Sequence, residues 1–201
     1  SGGSAAATIS NDSIAASSSK TYFPLTAVAS GFNGSAVVSS DKQVAAVVNV
    51  LGNNGVSSAS YIGFSGGSTS LSIPLLMKGN YGFNTWFKVQ NAGTGNASVT
   101  VTYTDGTTAS ATIQEGASAT FDQATEAHNS AVFAGKITSD KPVVATIMEE
   151  DAATLFAYNA FTNGSTNPVM PLINATLAAV AFAGWLVHAL GQLDANVLDY
   201  S

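Results

Sequence analysis

Glu126 and His128 stand two positions apart in Glu126-Ala127-His128-Asn129, and a carboxylate beside an imidazole is the smallest pair that can move a proton. The stretch reads as an exposed loop, and no Gly-x-Ser-x-Gly elbow accompanies it to supply a nucleophile. The second histidine, His188, lies inside an apolar run, where a core or interface role fits better than catalysis. Glu149-Glu150-Asp151 is the one acidic cluster; it offers oxygen ligands of the kind calcium takes, but without an EF-hand or Gly/Asp nonapeptide spacing it reads as an exposed turn. The glycines of Gly63-Phe64-Ser65-Gly66-Gly67-Ser68 lack the lysine and following helix of a phosphate cradle. The sequence therefore predicts no catalytic residue, no cofactor and no metal site.

Composition narrows the function classes further. Only 9% of the 201 residues are charged, against roughly 25% in an average soluble protein. Six Lys and Arg in a chain of net charge −6 cannot neutralise a phosphate backbone, which excludes nucleic acid as a partner. A hydrophobic content of 46% separates the chain from disordered ones. There are no cysteines, so disulfides, thiolate metal sites and thiol catalysis are absent. Abundant Ser, Thr, Asn and Gly with few Lys and Glu suggest a secreted or cell-surface protein. Ser1-Gly2-Gly3-Ser4-Ala5-Ala6-Ala7 has neither a basic nor an apolar region of a signal peptide.

Strand-sized runs dominate from Tyr22 onward. Val44-Ala45-Ala46-Val47-Val48-Asn49-Val50, bounded by Gly52-Asn53-Asn54-Gly55, fits a strand buried on both faces. Asp105-Gly106 between two alternating runs, residues 98–103 and 108–113, predicts a hairpin, because Gly tolerates the positive φ that a tight turn needs. Further runs at 118–121, 131–137, 143–148 and 155–158 bring the expectation to about seven strands between Thr85 and Phe161, an antiparallel sandwich.

The chain also repeats itself. Ser40-Asp41-Lys42-Gln43-Val44 returns as Ser139-Asp140-Lys141-Pro142-Val143, an offset of 140 − 41 = 99. Tyr61-Ile62-Gly63-Phe64 returns as Tyr158-Asn159-Ala160-Phe161, and Ile73-Pro74-Leu75 as Met170-Pro171-Leu172, both offset by 158 − 61 = 171 − 74 = 97. Self-similarity of this kind marks modular architectures. The expected division is an arm or donor strand over 1–21, a short β unit over 22–76, a full sandwich unit over 77–173, and an apolar helix with its tail over 174–201.

The cycle Pro74-Leu75, Gly82-Phe83-Asn84, Val89-Gln90-Asn91-Ala92-Gly93, Tyr103-Thr104-Asp105-Gly106 and Ser139 to Ala145 resembles the immunoglobulin-like repeats of secreted bacterial surface proteins, particularly those of filamentous green non-sulfur bacteria. The resemblance covers roughly residues 22–172. It implies a mainly β fold with one or two immunoglobulin-like antiparallel sandwich units and carries no catalytic residues; the apolar C-terminal α-helix read from the sequence departs from its pattern, which would place another Gly-Phe-Asn strand after Leu172. Trp86 to Asp122 is also similar to adhesion-type bacterial β-sandwich domains.

The run Leu177 to Leu190 is rich in Ala and Leu, which favours helix, and is apolar all round, so it needs burial. Two readings stand open: a membrane span through 170–190, or an interface with other protein. The flanking charges are Asp194 and Asp199 rather than Lys or Arg. The leading expectation is a non-enzymatic extracellular subunit that assembles with copies of itself into a surface filament, sheath or layer. Its assembly contacts would be Ile9 and Ile14 in the arm and Leu177, Val180, Phe182, Trp185 and Leu186 in the helix. A surface-anchored adhesin or carbohydrate-binding module is the alternative, with Tyr81 and Trp86 stacking on sugar rings and surface proteins or glycans as partners. An accessory subunit of a membrane complex is the third reading. Among the sequons, Asn33 and Asn163 are the candidate glycosylation sites.

Overall fold

The computed structural model of the chain describes residues 3–169, and they form a mainly β protein. Nine strands follow one another: β1 Val47–Gly52, β2 Ser57–Ile62, β3 Ser68–Met77, β4 Asn84–Asn91, β5 Ala97–Tyr103, β6 Thr108–Ile113, β7 Ser118–Asp122, β8 Val132–Glu150 and β9 Leu155–Asn159. Every pairing between them is antiparallel.

β8 organises the sandwich. The runs at 131–137 and 143–148 are not two strands, as the sequence suggests, but one strand of 19 residues. Its first part pairs with β3 and β5, and β5 carries β6 on its far side. Its second part pairs with β4 and β9, and β4 carries β7. One strand thus serves both layers. Pro142 sits in the changeover, after the β5 ladder ends at Ser139 and before the β4 ladder begins at Val143. Proline cannot donate to a ladder, and here its carbonyl accepts the amide of Ala92 at 2.9 Å. The Asp140 carboxylate accepts the amide of Ser98 at 2.7 Å, tying the start of β5 to the same bend.

The core lies between the layers. β5 alternates strictly, with Ala97, Val99, Val101 and Tyr103 inward, as does β4 with Thr85, Phe87, Val89 and Asn91. Phe87 stacks on Phe121 at 5.1 Å. Asn91 is buried because its amide nitrogen donates to Gly95 and Ile113 carbonyls at 2.7 and 3.0 Å while its oxygen accepts from Gly93. The Asp105-Gly106 hairpin forms between β5 and β6 as expected, with φ +88° at Gly106.

The boundary expected at 76/77 does not divide two units. It falls at the end of β3, and β3 pairs along β8 within the larger sheet. What lies ahead of β3 is instead a separate two-stranded sheet, β1–β2. Among residues 3–46 no helix or strand is present. The apolar helix expected over 174–201, with Leu177, Val180, Phe182, Trp185 and Leu186, lies outside the described residues, as does the whole of 170–190. Among the described residues no helix is long and apolar enough to cross a membrane.

The sequence repeat is also a structural one. In β1–β2, Val47 faces Ile62 and Val48 faces Tyr61. In β8–β9, Thr146 faces Asn159 and Ile147 faces Tyr158, the same pairs at offsets of 99 and 97. Gly63 donates to the Ala46 carbonyl at 2.8 Å as Ala160 donates to that of Ala145 at 3.0 Å. Ser40 accepts the Lys42 amide at 3.3 Å as Ser139 accepts that of Lys141 at 3.2 Å. The β1–β2 hairpin is therefore a second copy of the β8–β9 hairpin, in the same register.

Candidate functional site

Two places in the fold concentrate features that a stable sandwich does not need: the histidine cluster at the β5–β6 turn, and the exposed β1–β2 hairpin.

The Asp105-Gly106 turn lays Asp105 and Thr107 against the loop that leads into β8. Asp105 Oδ1 accepts the Thr107 amide at 3.0 Å and its hydroxyl at 2.6 Å, while Oδ2 accepts the Asn129 amide at 2.9 Å and meets His128 Nδ1 at 3.0 Å. Burial by itself would raise the Asp105 carboxyl, but the hydroxyl and amide of Thr107, the amide of Asn129 and His128 together outweigh it and hold it at about 2. His128 is not the exposed loop residue expected: its side chain is 1% accessible. The ring stacks on Phe133 at 4.0 Å and takes the edge of Tyr103 at 4.8 Å. Tyr103 donates to Glu126 Oε2 at 2.9 Å, and burial and the Glu126 charge push its phenol far above the ordinary range.

The residue types suggest a relay, but the geometry does not make one. Thr107 Oγ lies 3.1 Å from the same Nδ1 that Asp105 occupies. A relay needs the carboxylate on one ring nitrogen and the reacting group on the other. The other nitrogen, Nε2, is buried without a hydrogen-bond partner, 3.9 Å from Glu126. What these contacts accomplish is to lock the turn to the loop.

Glu149 does not belong to an exposed acidic turn either. It is 2% accessible and its Oε1 has no partner. Burial raises its carboxyl to about 7. Strand alternation carries the reason, since Glu149 continues the inward series Val143, Ala145, Ile147. Asp151 is the true turn residue, accepting the amides of Ala153 and Thr154 at 2.8 and 2.6 Å. Among the described residues no three His, Cys, Asp or Glu side chains come together as a metal site would require.

The hairpin β1–β2 departs most from its expectation. The run at 44–50 was expected to be buried on both faces, yet Val47 is 66% and Leu51 59% accessible. The physical reason is the absence of a covering layer: β1 pairs with β2, and among the described residues no strand pairs with its other edge. Natural proteins guard such edges with charges or proline, and residues 44–52 contain neither. Beside it run further unpaired apolar residues, with Val37, Val38 and Val44 exposed.

The remaining candidates are dispersed. Ile9 and Ile14 are exposed. Tyr81 is 91% accessible, but Trp86 is half-buried within β4, paired between β7 and β8. Asn33 and Asn163 are both exposed.

No family model matches the chain, and no curated protein matches it. Solved structures similar to parts of it include two that follow. A crystal structure of Thermotoga maritima 1070 is 17% identical, covering 49% of this chain and 98% of its own, with a TM-score of 0.41. The Anabaena sensory rhodopsin transducer is 23% identical, covering 41% of this chain and 97% of its own, with a TM-score of 0.30. Likeness at this level assigns neither a fold family nor an activity to this chain.

Proposed function

We propose that this chain is a non-enzymatic structural subunit, immunoglobulin-like in its sandwich, that assembles with copies of itself into a filament, sheath or layer at the cell surface. One observation carries the reading: a hairpin whose first strand repeats the register of the buried β8 stands open to solvent, its apolar edge strand unguarded by charge. Exposed edges of this kind pair with strands from other chains through backbone hydrogen bonds. The low charge of the chain supports the same reading, because copies carrying few like charges repel one another weakly. The locked geometry around His128 supports a structural rather than a catalytic role for the one acid–base cluster. Sedimentation and negative-stain microscopy of the purified chain over a wide concentration range test the reading. Concentration-dependent, regular assemblies are expected; a monodisperse monomer at every concentration would overturn it.

A further inference from the structure

The open side of β1 presents a defined set of backbone groups. Gly63 donates to the Ala46 carbonyl, and the same alternation turns the backbone groups of Val48 and Val50 toward β2. The amides and carbonyls of Val47, Asn49 and Leu51 therefore point the other way, where no strand among the described residues meets them. The complete unit shows what such a side takes. Thr146 and Met148 match Val47 and Asn49, since 146 − 47 = 148 − 49 = 99, and on the side away from β9 they pair with the antiparallel strand β4.

The residues along that edge complement themselves. Val47-Val48-Asn49-Val50-Leu51 is apolar on both sides of one central amide. Antiparallel pairing of β1 with another β1, centred on Asn49, sets Val47 opposite Leu51, Val48 opposite Val50 and Asn49 opposite Asn49. Val47, Asn49 and Leu51 face the open side in both molecules, so each opposed pair of them exchanges both N–H···O bonds. Moving the centre to Val48 or Val50 keeps this phase but sets the Asn49 amide opposite Val47 or Leu51. Val47 and Leu51, 66% and 59% accessible, would lie against each other on one face of the joined sheet. Charge points to the same partner. A two-fold axis brings each nearby charge up to its own duplicate, and no Asp, Glu, Lys or Arg occurs from Gln43 to Met77. The end strands of the larger sheet lack that freedom: β7 ends at Asp122, and Glu115 lies between β6 and β7.

We propose that β1 pairs with β1 of a second molecule, antiparallel about a two-fold axis at Asn49, so that the two hairpins form one sheet in the order β2-β1-β1-β2. The proposal rests on the assembly reading and names its first contact. Such a contact is isologous and closes on itself, so the assembly is built from dimers and grows through a different surface.

The chain has no cysteine, so single-cysteine variants of the full chain report the register. Opposed residues of a hydrogen-bonded pair lie about 5.5 Å apart at Cα, within disulfide reach. The two Val47 residues would be four positions apart along the strands, on the order of 13 Å. Under mild oxidation Asn49→Cys should form a covalent dimer and Val47→Cys alone should not. An equimolar mixture of Val47→Cys and Leu51→Cys should cross-link as a heterodimer. Asn49→Lys, at an exposed position, sets two ammonium groups opposite each other and should reduce the smallest stable species in sedimentation from dimer to monomer. Equal cross-linking of the single variants at 47, 49 and 51, or wild-type assemblies left unchanged by Asn49→Lys, would overturn this contact and leave the assembly reading in place. A wild type that is monomeric at every concentration would overturn both.

Discussion

The hairpins β1–β2 and β8–β9 share a sequence pattern, a register and a serine-capped bend, yet β1 is exposed while β8 runs through the core. Val143 is wholly buried where Val44 is 52% accessible, and Ile147 is wholly buried where Val48 is 37% accessible. Local sequence therefore sets local conformation here, while burial is set by which strands arrive from elsewhere. β8 has β3, β4, β5 and β9 beside it; among the described residues β1 pairs with β2 alone.

The largest effect expected from this difference is in stability. Ile147→Ala removes a side chain with no accessible surface and should cost about 2–5 kcal/mol, by lost transfer energy and the cavity left behind. Val48→Ala, at the matching position, should cost under about 1 kcal/mol in dilute solution. Urea unfolding of both variants at the same low concentration measures the gap. Equal costs would show that β1 already has a cover. If copies assemble, the cost at Val48 should grow with protein concentration while that at Ile147 stays fixed.

A smaller effect follows from the buried carboxyl in the comparison. Glu149 matches Val50 in the first copy, at 149 − 99 = 50. The folded protein keeps the Glu149 proton up to about 7 because burial penalises the carboxylate, while the unfolded chain releases it near 4.5. Unfolding therefore releases a proton between these values, and stability is full below 4.5 and falls as pH rises toward 7. The difference of 7 − 4.5 units corresponds to about 3 kcal/mol. Thermal melts of wild type and Glu149→Gln from pH 4.5 to 8 measure it: the variant should lose this part of the slope and be the more stable protein at pH 8. Identical pH profiles would mean that the carboxylate is solvated.

What was legible in the sequence follows the same division. The Asp105-Gly106 hairpin, the alternation of β5 and the Ser-Asp-Lys motif could be read because each is decided within a few residues. The mainly β sandwich could be read because several such signals agree. The joining of the runs at 131–137 and 143–148 into one strand could not, since Pro142 usually marks a break and only the partners on either side show that no ladder bond is needed there. His128 and Glu149 were misplaced for a related reason. His128 looks loop-borne and exposed until Phe133 and Tyr103 are seen to enclose it. Glu149 looks like part of a turn, although parity with Val143, Ala145 and Ile147 was a signal that could have found it. The exposure of β1 had no local signal at all, because an apolar run reads as buried whether or not a cover is present.

The smallest expected effect isolates the part of the motif that depends on neighbours. Asp140 and Asp41 occupy the same place in the repeated Ser-Asp-Lys, and both follow a serine that caps the bend. Asp140 additionally accepts the Ser98 amide at 2.7 Å, because β5 lies alongside. Among the described residues no strand occupies that position beside Asp41. Asp140→Ala should therefore cost about 1 kcal/mol, the worth of one partly solvated hydrogen bond. Asp41→Ala should cost nothing measurable in the monomer. The bend itself should survive in both variants, since the serine and not the aspartate makes it. Equal costs for the two substitutions would mean that Asp41 has a partner even in dilute solution. A cost at Asp41 that emerges only in the assembled state would mean that the missing strands come from another copy.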